Sequence, residues 1–201
     1  SVAVLTNFTQ DHLDYHKDMQ SYWQAKEKLF YWPSIKWSIL NLDDPTGYRL
    51  AQKLLSENHQ LIGFSLDKAN CAGWAGNCVY AESIEQITGG QQLTFSVGTH
   101  RSTFKTNLVG KFNVSNLLAV AAVLQASCIE WDDIIRALGQ LCCVDGRMMC
   151  ILPDDVSEQG ALPTVIVDYA HTPDALENVL KAVREMAETQ SGKIWTVFGC
   201  G

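Results

Sequence analysis

Twice in this chain an apolar run stops at an acid or amide and hands over directly to a proline-containing turn that starts a helix. Trp37-Ser38-Ile39-Leu40-Asn41 is a buried-strand run that leads into Asp43-Asp44-Pro45-Thr46-Gly47, and Tyr48 to Leu55 then has helical composition. Pro163 to Val167 ends at Asp168, Thr172-Pro173-Asp174 supplies a cap followed by proline, and Ala175 to Thr189 is an amphipathic helix. Proline suits the first helical position because the N–H it lacks would have no helical partner there. Strands that alternate with capped helices build an α/β sheet, and such sheets keep their chemistry at the carboxyl ends of the strands. A third unit opens the chain. Val2, Val4 and Leu5 read as a strand, Thr9 or Asp11 can cap the next helix, and Met19 to Phe30 has helical composition with Tyr22, Ala25, Lys26 and Leu29 at three- and four-residue spacing.

Between these units the pattern changes. Leu61 to Ser65, Cys78 to Ile84, Leu93 to Val97 and Thr103 to Leu108 are short alternating segments separated by glycine turns such as Thr88-Gly89-Gly90, which predicts an antiparallel β insert over 61–109. Phe112 to Ala126 is a helix rich in small residues, and Trp131 to Leu141 is a second one, both core-facing. The polar stretch Pro153 to Gly160 reads as a loop or linker, and Lys193 to Phe198 as a further strand that runs into a glycine turn. The start at Ser1 and the stop at Gly201 give the chain the look of one cut at both ends.

Composition narrows the partners. With 201 residues, 47% of them apolar, there is enough to bury a sizeable core. A net charge of -7 without a Lys/Arg cluster argues against nucleic acid and against anionic membrane surfaces. No apolar run reaches the length of a membrane span and no signal-peptide pattern is present, so a cytoplasmic compartment is expected. The seven cysteines are odd in number and lack a C-x-x-C pair, which predicts reduced, mostly buried thiols rather than a disulfide framework or a zinc site.

The residues with most chemistry in them lie in Thr6-Asn7-Phe8-Thr9-Gln10-Asp11-His12-Leu13-Asp14-Tyr15-His16, with Lys26 one helix further on. Carboxylates and imidazoles such as Asp11, His12, Asp14 and His16 are the ligands a divalent cation recruits, although their spacing matches no zinc signature. Each also has a structural reading: a lysine on an amphipathic helix is ordinarily solvated, and a single histidine is ordinarily a hydrogen-bonded structural residue. Gly110-Lys111 and Gly192-Lys193 are followed by Phe112 and Ile194 where a phosphate-binding loop needs Ser or Thr, so neither is a P-loop.

Several separated segments fall into one pattern: Asn7 to His16, Ala25-Lys26, Asn41-Leu42-Asp43-Asp44, Gly110-Lys111-Phe112-Asn113-Val114-Ser115-Asn116, Gly146-Arg147-Met148, Asp168-Tyr169-Ala170-His171-Thr172-Pro173-Asp174-Ala175-Leu176 and Val197-Phe198-Gly199-Cys200-Gly201. In this order they resemble the Mur ligase family over essentially the whole chain. The strings Asp11 to His16 and Asp168 to Glu177 are similar to those of the member that adds the third peptide residue to the peptidoglycan precursor.

The resemblance implies an α/β fold: residues 1–149 as the C-terminal part of a central ATP-binding domain, a parallel sheet with helices and a small antiparallel insert, and residues 150–201 as the beginning of a Rossmann-like C-terminal domain. It implies an ATP-dependent carboxylate–amine ligase that forms an acyl phosphate on UDP-N-acetylmuramoyl-L-Ala-D-Glu, then joins an amino acid to it. The added residue would be meso-diaminopimelate, with lysine the alternative. ATP and Mg2+ are the implied co-substrate and cofactor, and the chain alone is expected to be inactive.

Residue roles are carried over only where the motifs match. By resemblance, His12 is a ligand of Mg2+, and Lys26 is a lysine carbamylated by carbon dioxide, which turns a cationic amine into an oxygen-bearing anion suited to a hard cation. Asn116 contacts adenine, Arg147 reaches the ATP phosphates as a guanidinium fork, Asp168 holds the ribose, and His171 beside it is a lesser ATP-binding candidate. Met149 departs from the family, which usually has Glu after Gly-Arg-Met. The other readings are a folylpolyglutamate synthase-like sibling ligase, disfavoured by the Asp168 to Leu176 string, and a non-catalytic nucleotide- or metal-binding module.

Overall fold

Six strands stand side by side in chain order in the computed structural model, which describes residues 1–9, 18–72, 74, 76–87, 90–151, 163–189 and 192–199. They are β1 (Val2–Leu5), β2 (Trp37–Asn41), β3 (Leu61–Ser65), β4 (Asn77–Ile87), β5 (Gly90–Val97) and β6 (His100–Thr106). β1 to β4 run parallel, and β4, β5 and β6 are joined antiparallel.

The antiparallel segment is therefore not an insert apart from the sheet. β3 belongs to its parallel half, and β4 serves both halves. Strand alternation looks the same in either pairing; what allows β4 to lie parallel is the crossover from Ser65 to Asn77, with its one-turn helix α3 (Lys68–Cys71).

The side-chain pattern reflects the two environments. In β2 the neighbours Ile39 and Leu40 are both fully buried, but in different clusters on opposite faces. On one face lie α4 (Lys111–Ala126) and α5 (Trp131–Gln140), which cover Ile39, Ile62, Phe64, Val79, Leu93, Phe95 and Phe104. On the other, α2 (Pro45–Ser56) and the 3-10 turn Lys28–Tyr31 cover Leu5, Leu40, Leu42 and Leu61. Each large side chain buried this way contributes about 1.5–3 kcal/mol, which makes the first cluster the main source of stability. In β5 the apolar Leu93, Phe95 and Val97 alternate with Thr94 and Ser96, and the Thr94 hydroxyl bonds those of Ser83 (3.1 Å) and Thr103 (2.9 Å) across the strands.

The helices start where the sequence provides side-chain acceptors. Asp44 caps α2 by accepting from the N–H groups of Thr46 (2.9 Å) and Gly47 (2.8 Å), with Pro45 at the first position. α1 (Met19–Glu27) is capped by Asp18, not by Thr9 or Asp11. Asp18 accepts from Ser21 N–H at 2.7 Å and Ser21 returns a bond to the Asp18 backbone, which closes a capping box. The bond from the Ser21 N–H holds the Asp18 carboxyl below its ordinary value of 3.8. Because the folded value is depressed, the stabilisation is complete above the unfolded value and is lost as pH falls through the folded one. Asp18→Ala is expected to fray the first turn of α1, and Asp18→Asn, which still caps, to preserve it; hydrogen exchange at the Ser21 amide reads the difference.

A two-stranded antiparallel sheet, β7 (Met149–Ile151) with β8 (Val165–Val167), and helix α6 (Pro173–Thr189) complete the described chain. Thr172 caps α6 through the Ala175 N–H (3.3 Å), as the Thr-Pro-Asp string predicts. α6 packs through Val179, Ala182, Val183 and Met186 against Val109, Phe112 and Met148. Gly110, at φ +90 before α4, is required here: a side chain on it would strike the Phe112 ring and approach Ala182 to 3.1 Å.

Three further expectations need correction. Lys193 to Phe198 forms no strand: no described strand pairs with it, and Trp195 and Val197 are 90% and 97% exposed. Cys71 and Cys78 form a disulfide, and Cys128 and Cys142 are exposed, so the cysteines are neither all reduced nor mostly buried. The helix read as Met19 to Phe30 tightens into the 3-10 turn after Glu27. The glycine-turn residues 88–89 and the loop read at Pro153 to Gly160 lie outside the described residues.

Candidate functional site

Asn41, Asp43 and Asp44, at the end of β2 and just beyond it, tie together the carboxyl ends of three parallel strands. The Asn41 amide donates to the Thr6 carbonyl beyond β1 (2.7 Å) and its oxygen accepts from the Asp43 N–H (2.9 Å). Asp43 turns the other way: its carboxylate accepts from the Ser65 hydroxyl, the Leu66 N–H (2.7 Å) and the Asn70 amide (2.9 Å), all at or beyond the end of β3. The second oxygen of Asp44 accepts from the Phe8 N–H at 2.9 Å, so the cap of α2 also fixes the loop after β1.

Through Phe8 this network reaches Lys26. The Phe8 ring packs against Tyr22 and Trp23, each at 5.2 Å between centroids, and holds α1 beside the strand ends. One turn on from Tyr22, half-buried Lys26 places its Nζ 4.9 Å from the centre of the Tyr22 ring. The chain Asp44, Phe8, Tyr22, Lys26 thus sets this lysine at the end of the sheet where α/β proteins gather their ligands. His12, with Asp11, Asp14 and His16, lies outside the described residues, so its relation to Lys26 does too.

A second constellation surrounds Asp168. β7 and β8 are antiparallel, with Met149 opposite Val167, so the residues before β7 and after β8 meet at one end. There Asp168 accepts from the Met148 N–H at 2.8 Å through one oxygen and from the Ala170 N–H at 2.7 Å through the other. This carboxylate joins the turn Gly146-Arg147-Met148 to the turn Asp168 to Thr172. Gly146 at φ +70 and buried Met148 at φ +49 shape the first turn.

Arg147 is exposed, with its guanidinium 5.3 Å from the Tyr169 ring centre, and that ring lies 5.2 Å from the His171 imidazole. His171 Nδ1 is 3.0 Å from the Tyr169 carbonyl. Arg147, Asp168 and His171, drawn from two separate stretches of the sequence, therefore share one corner. A cation held over an aromatic face, next to a carboxylate with lone pairs to spare, can bind a phosphate and a hydroxyl side by side.

Asn116 stands on the exposed part of α4, one turn after Phe112 and on its face of the helix. Phe112 packs in the same cluster as Met148 and α6, and Lys111 pairs with Glu185 at 3.5 Å. Among the described residues no hydrogen bond or ion pair links Asn116 or Lys26 to Arg147 or Asp168. The roles of Asn41, Asp43, Asp44 and Phe8 were not legible beforehand, although Asn and Asp placed just after a strand are a general signal for such tethers.

The described donors do not make a metal site. No three His, Cys, Asp or Glu side chains converge among the described residues, and Lys26 as an ammonium repels a cation.

Comparison with known proteins decides the family. A family model described as the Mur ligase middle domain matches residues 1–124, and one described as the Mur ligase, glutamate ligase domain matches residues 146–201. The chain belongs to the Mur ligase family. Among curated Mur ligases, the UDP-N-acetylmuramoyl-L-alanyl-D-glutamate--2,6-diaminopimelate ligase of Janthinobacterium sp. (strain Marseille) is 40% identical over 202 residues, covering 100% of this chain and 38% of that protein. The ligase of the same name from Acidovorax sp. (strain JS42) is 41% identical over 200 residues, covering 100% of the chain and 37% of that protein. The chain thus spans less than half the length of these relatives.

A solved structure of a UDP-N-acetylmuramoyl-L-alanyl-D-glutamate--2,6-diaminopimelate ligase superposes with a TM-score of 0.70 at 27% identity, covering 91% of this chain and 35% of that one. MurF from Acinetobacter baumannii (TM-score 0.71, 20% identity, 92% of this chain and 37% of that one) shares the fold, as does the apo form of L. casei FPGS (0.67, 18%, 92% and 42%). Mur ligases use ATP and Mg2+. Among the described residues no helix is long and apolar enough to cross a membrane.

Proposed function

We propose that this chain is part of an ATP-dependent acid–amino acid ligase that adds the third residue, meso-diaminopimelate, to UDP-N-acetylmuramoyl-L-Ala-D-Glu in peptidoglycan synthesis. The observation that carries this reading is the identity of 40–41% along the entire chain to ligases of that name. In the reaction a carboxylate oxygen of the dipeptide attacks the γ-phosphorus of ATP and ADP departs. The amine of the amino acid then attacks the acyl carbon, phosphate leaves, and the amide forms with loss of a proton. The same reading puts the enzyme in the cytoplasm with its nucleotide substrates.

We assign residues 1–149 to the central ATP-binding domain and residues 150–201 to the start of the C-terminal one. Arg147 would reach the ATP phosphates and Asp168 the ribose, a division supported by their common corner and by the bond that fixes Asp168 to the main chain next to Arg147. His171 lines the same corner, and Asn116 would approach adenine from α4. Lys26, as the carbamate, and His12 are the residues proposed to hold Mg2+. The position of Lys26 at the strand ends supports its part.

The test is phosphate release by the full-length protein with ATP and UDP-N-acetylmuramoyl-L-Ala-D-Glu, offered diaminopimelate, lysine or a folate–glutamate pair. Turnover that depends on diaminopimelate is expected. Preference for lysine would overturn the amino-acid assignment, and activity with the folate pair alone would overturn the function.

A further inference from the structure

The Cys71–Cys78 disulfide ties helix α3 to the start of β4, and no step of the proposed ligation uses it. We propose that this pair is a reversible thiol–disulfide latch that fixes α3, and with it Asn70, against the carboxylate of Asp43. One partner is anchored: Cys78 lies in β4, paired with Gly63 of the central strand β3. The other is held less firmly: no residue of α3 is fully buried, and Cys71 packs only at the edge of the second cluster. The Cα atoms are 6.0 Å apart, a separation that a disulfide spans without backbone movement. Both cysteines are half-buried, so an attacking thiolate or disulfide can reach them.

The bond is not the centre of the fold. It closes a sequence separation of only seven residues, less constraint on the unfolded chain than a longer loop would give, and both cysteines are only partly buried, packed against the second cluster and outside the main one under α4 and α5. Without it, α3 keeps the partly buried packing of Cys71 at the edge of the second cluster and a few surface contacts: the Asp67 cap on the Ala69 N–H (2.8 Å), Asn70 to Asp43 (2.9 Å), and Lys68 over the Tyr80 ring (5.7 Å). Such a segment belongs to the low-stability end of a protein.

What the latch controls is a wall. Leu42, Asp43, Pro45, Tyr48, Arg49 and Asn70 line an open cavity of about 540 Å³ beside the carboxyl end of β2. Asn70 comes from α3, and Trp74, within the loop that the disulfide closes, packs on Tyr48 at 6.0 Å. Reduction frees both supports.

The exchange balances with a small disulfide such as oxidised glutathione. One protein thiolate attacks it, releases a glutathione thiolate and forms a mixed disulfide; the second protein thiolate displaces the other glutathione. Two protein thiols are oxidised and one disulfide is reduced to two thiols.

The test equilibrates the full-length protein in glutathione buffers of graded ratio, then reads Cys71–Cys78 pairing by alkylation and peptide mass, and hydrogen exchange over residues 67–79. The bonded fraction is expected to track the ratio, with amides of α3 exchanging about tenfold or more faster in the reduced protein. Cys71→Ser and Cys78→Ser should remove the response. Failure of the two thiols to pair, a bond that only unfolding allows to be reduced, equal exchange in both states, or a response carried instead by glutathione on exposed Cys128 or Cys142 would each overturn the latch. The wild-type titration alone decides these outcomes if a serine variant does not fold.

Discussion

Lys26→Ala in the full-length protein is expected to lower ligase turnover by about a hundredfold or more, the size of effect seen when a group that stabilises developing charge is removed. Magnitude separates this from a structural role. All the described structure gives Lys26 is its place over the Tyr22 ring, and such a cation–π contact at an accessible site is worth about 0.5–1 kcal/mol, which neither unfolds a domain nor stops a reaction. Small carboxylates such as formate or acetate should restore part of the activity by standing in for the oxygens of the proposed carbamate, and labelled carbon dioxide should give a carbamate NMR signal in the wild type alone. Turnover of the variant within a few-fold of wild type would remove Lys26 from the chemistry.

Asp168→Ala is expected to be the second most damaging change. It strands two main-chain donors, the N–H groups of Met148 and Ala170, at a cost of about 1–3 kcal/mol, and it uncouples the Arg147 turn from the turn that carries Tyr169 and His171. ATP affinity should fall about tenfold or more, because the proposed phosphate and ribose contacts would then no longer be held in one frame. If ATP draws the two domains together, compaction seen by small-angle scattering should diminish as well. Asp168→Asn, which keeps one acceptor oxygen, should be milder, and Glu188→Ala, on α6 away from this corner, should change neither quantity. Unchanged affinity and compaction in Asp168→Ala would exclude the aspartate from the nucleotide site.

The elements legible in advance are those whose signal is local. β2 is a continuous apolar run, α2 and α6 begin with an acceptor followed by proline, and α4 and α5 carry long apolar faces. What the sequence hid depends on partners far along the chain. Parallel and antiparallel strands share one alternation, so the place of β3 and β4 in a single sheet emerges only from the pairing itself. Lys193 to Phe198 has the composition of a strand, yet composition provides no neighbour for its backbone groups. Cys71 and Cys78 carry no recognisable spacing because their approach is produced by α3 and β4. Within the candidate site, Arg147 and Asp168 were legible by resemblance alone, whereas the bond that joins their two turns required the antiparallel pairing of β7 with β8.

The spatial order of the six strands is their order along the chain, and this bears on how the domain is made. None of these six strands has to be threaded later between two of the others that have already paired, so this part of the sheet can grow by addition at one edge while the polypeptide is still leaving the ribosome. β2 meets β1 complete, β3 meets β2, and the hairpins β4–β5 and β5–β6 close over short distances at the end. After the six strands come α4 and α5, which cap a face that the strands have by then laid down, so the nascent chain carries that apolar surface open until residue 140 has been synthesised and freed.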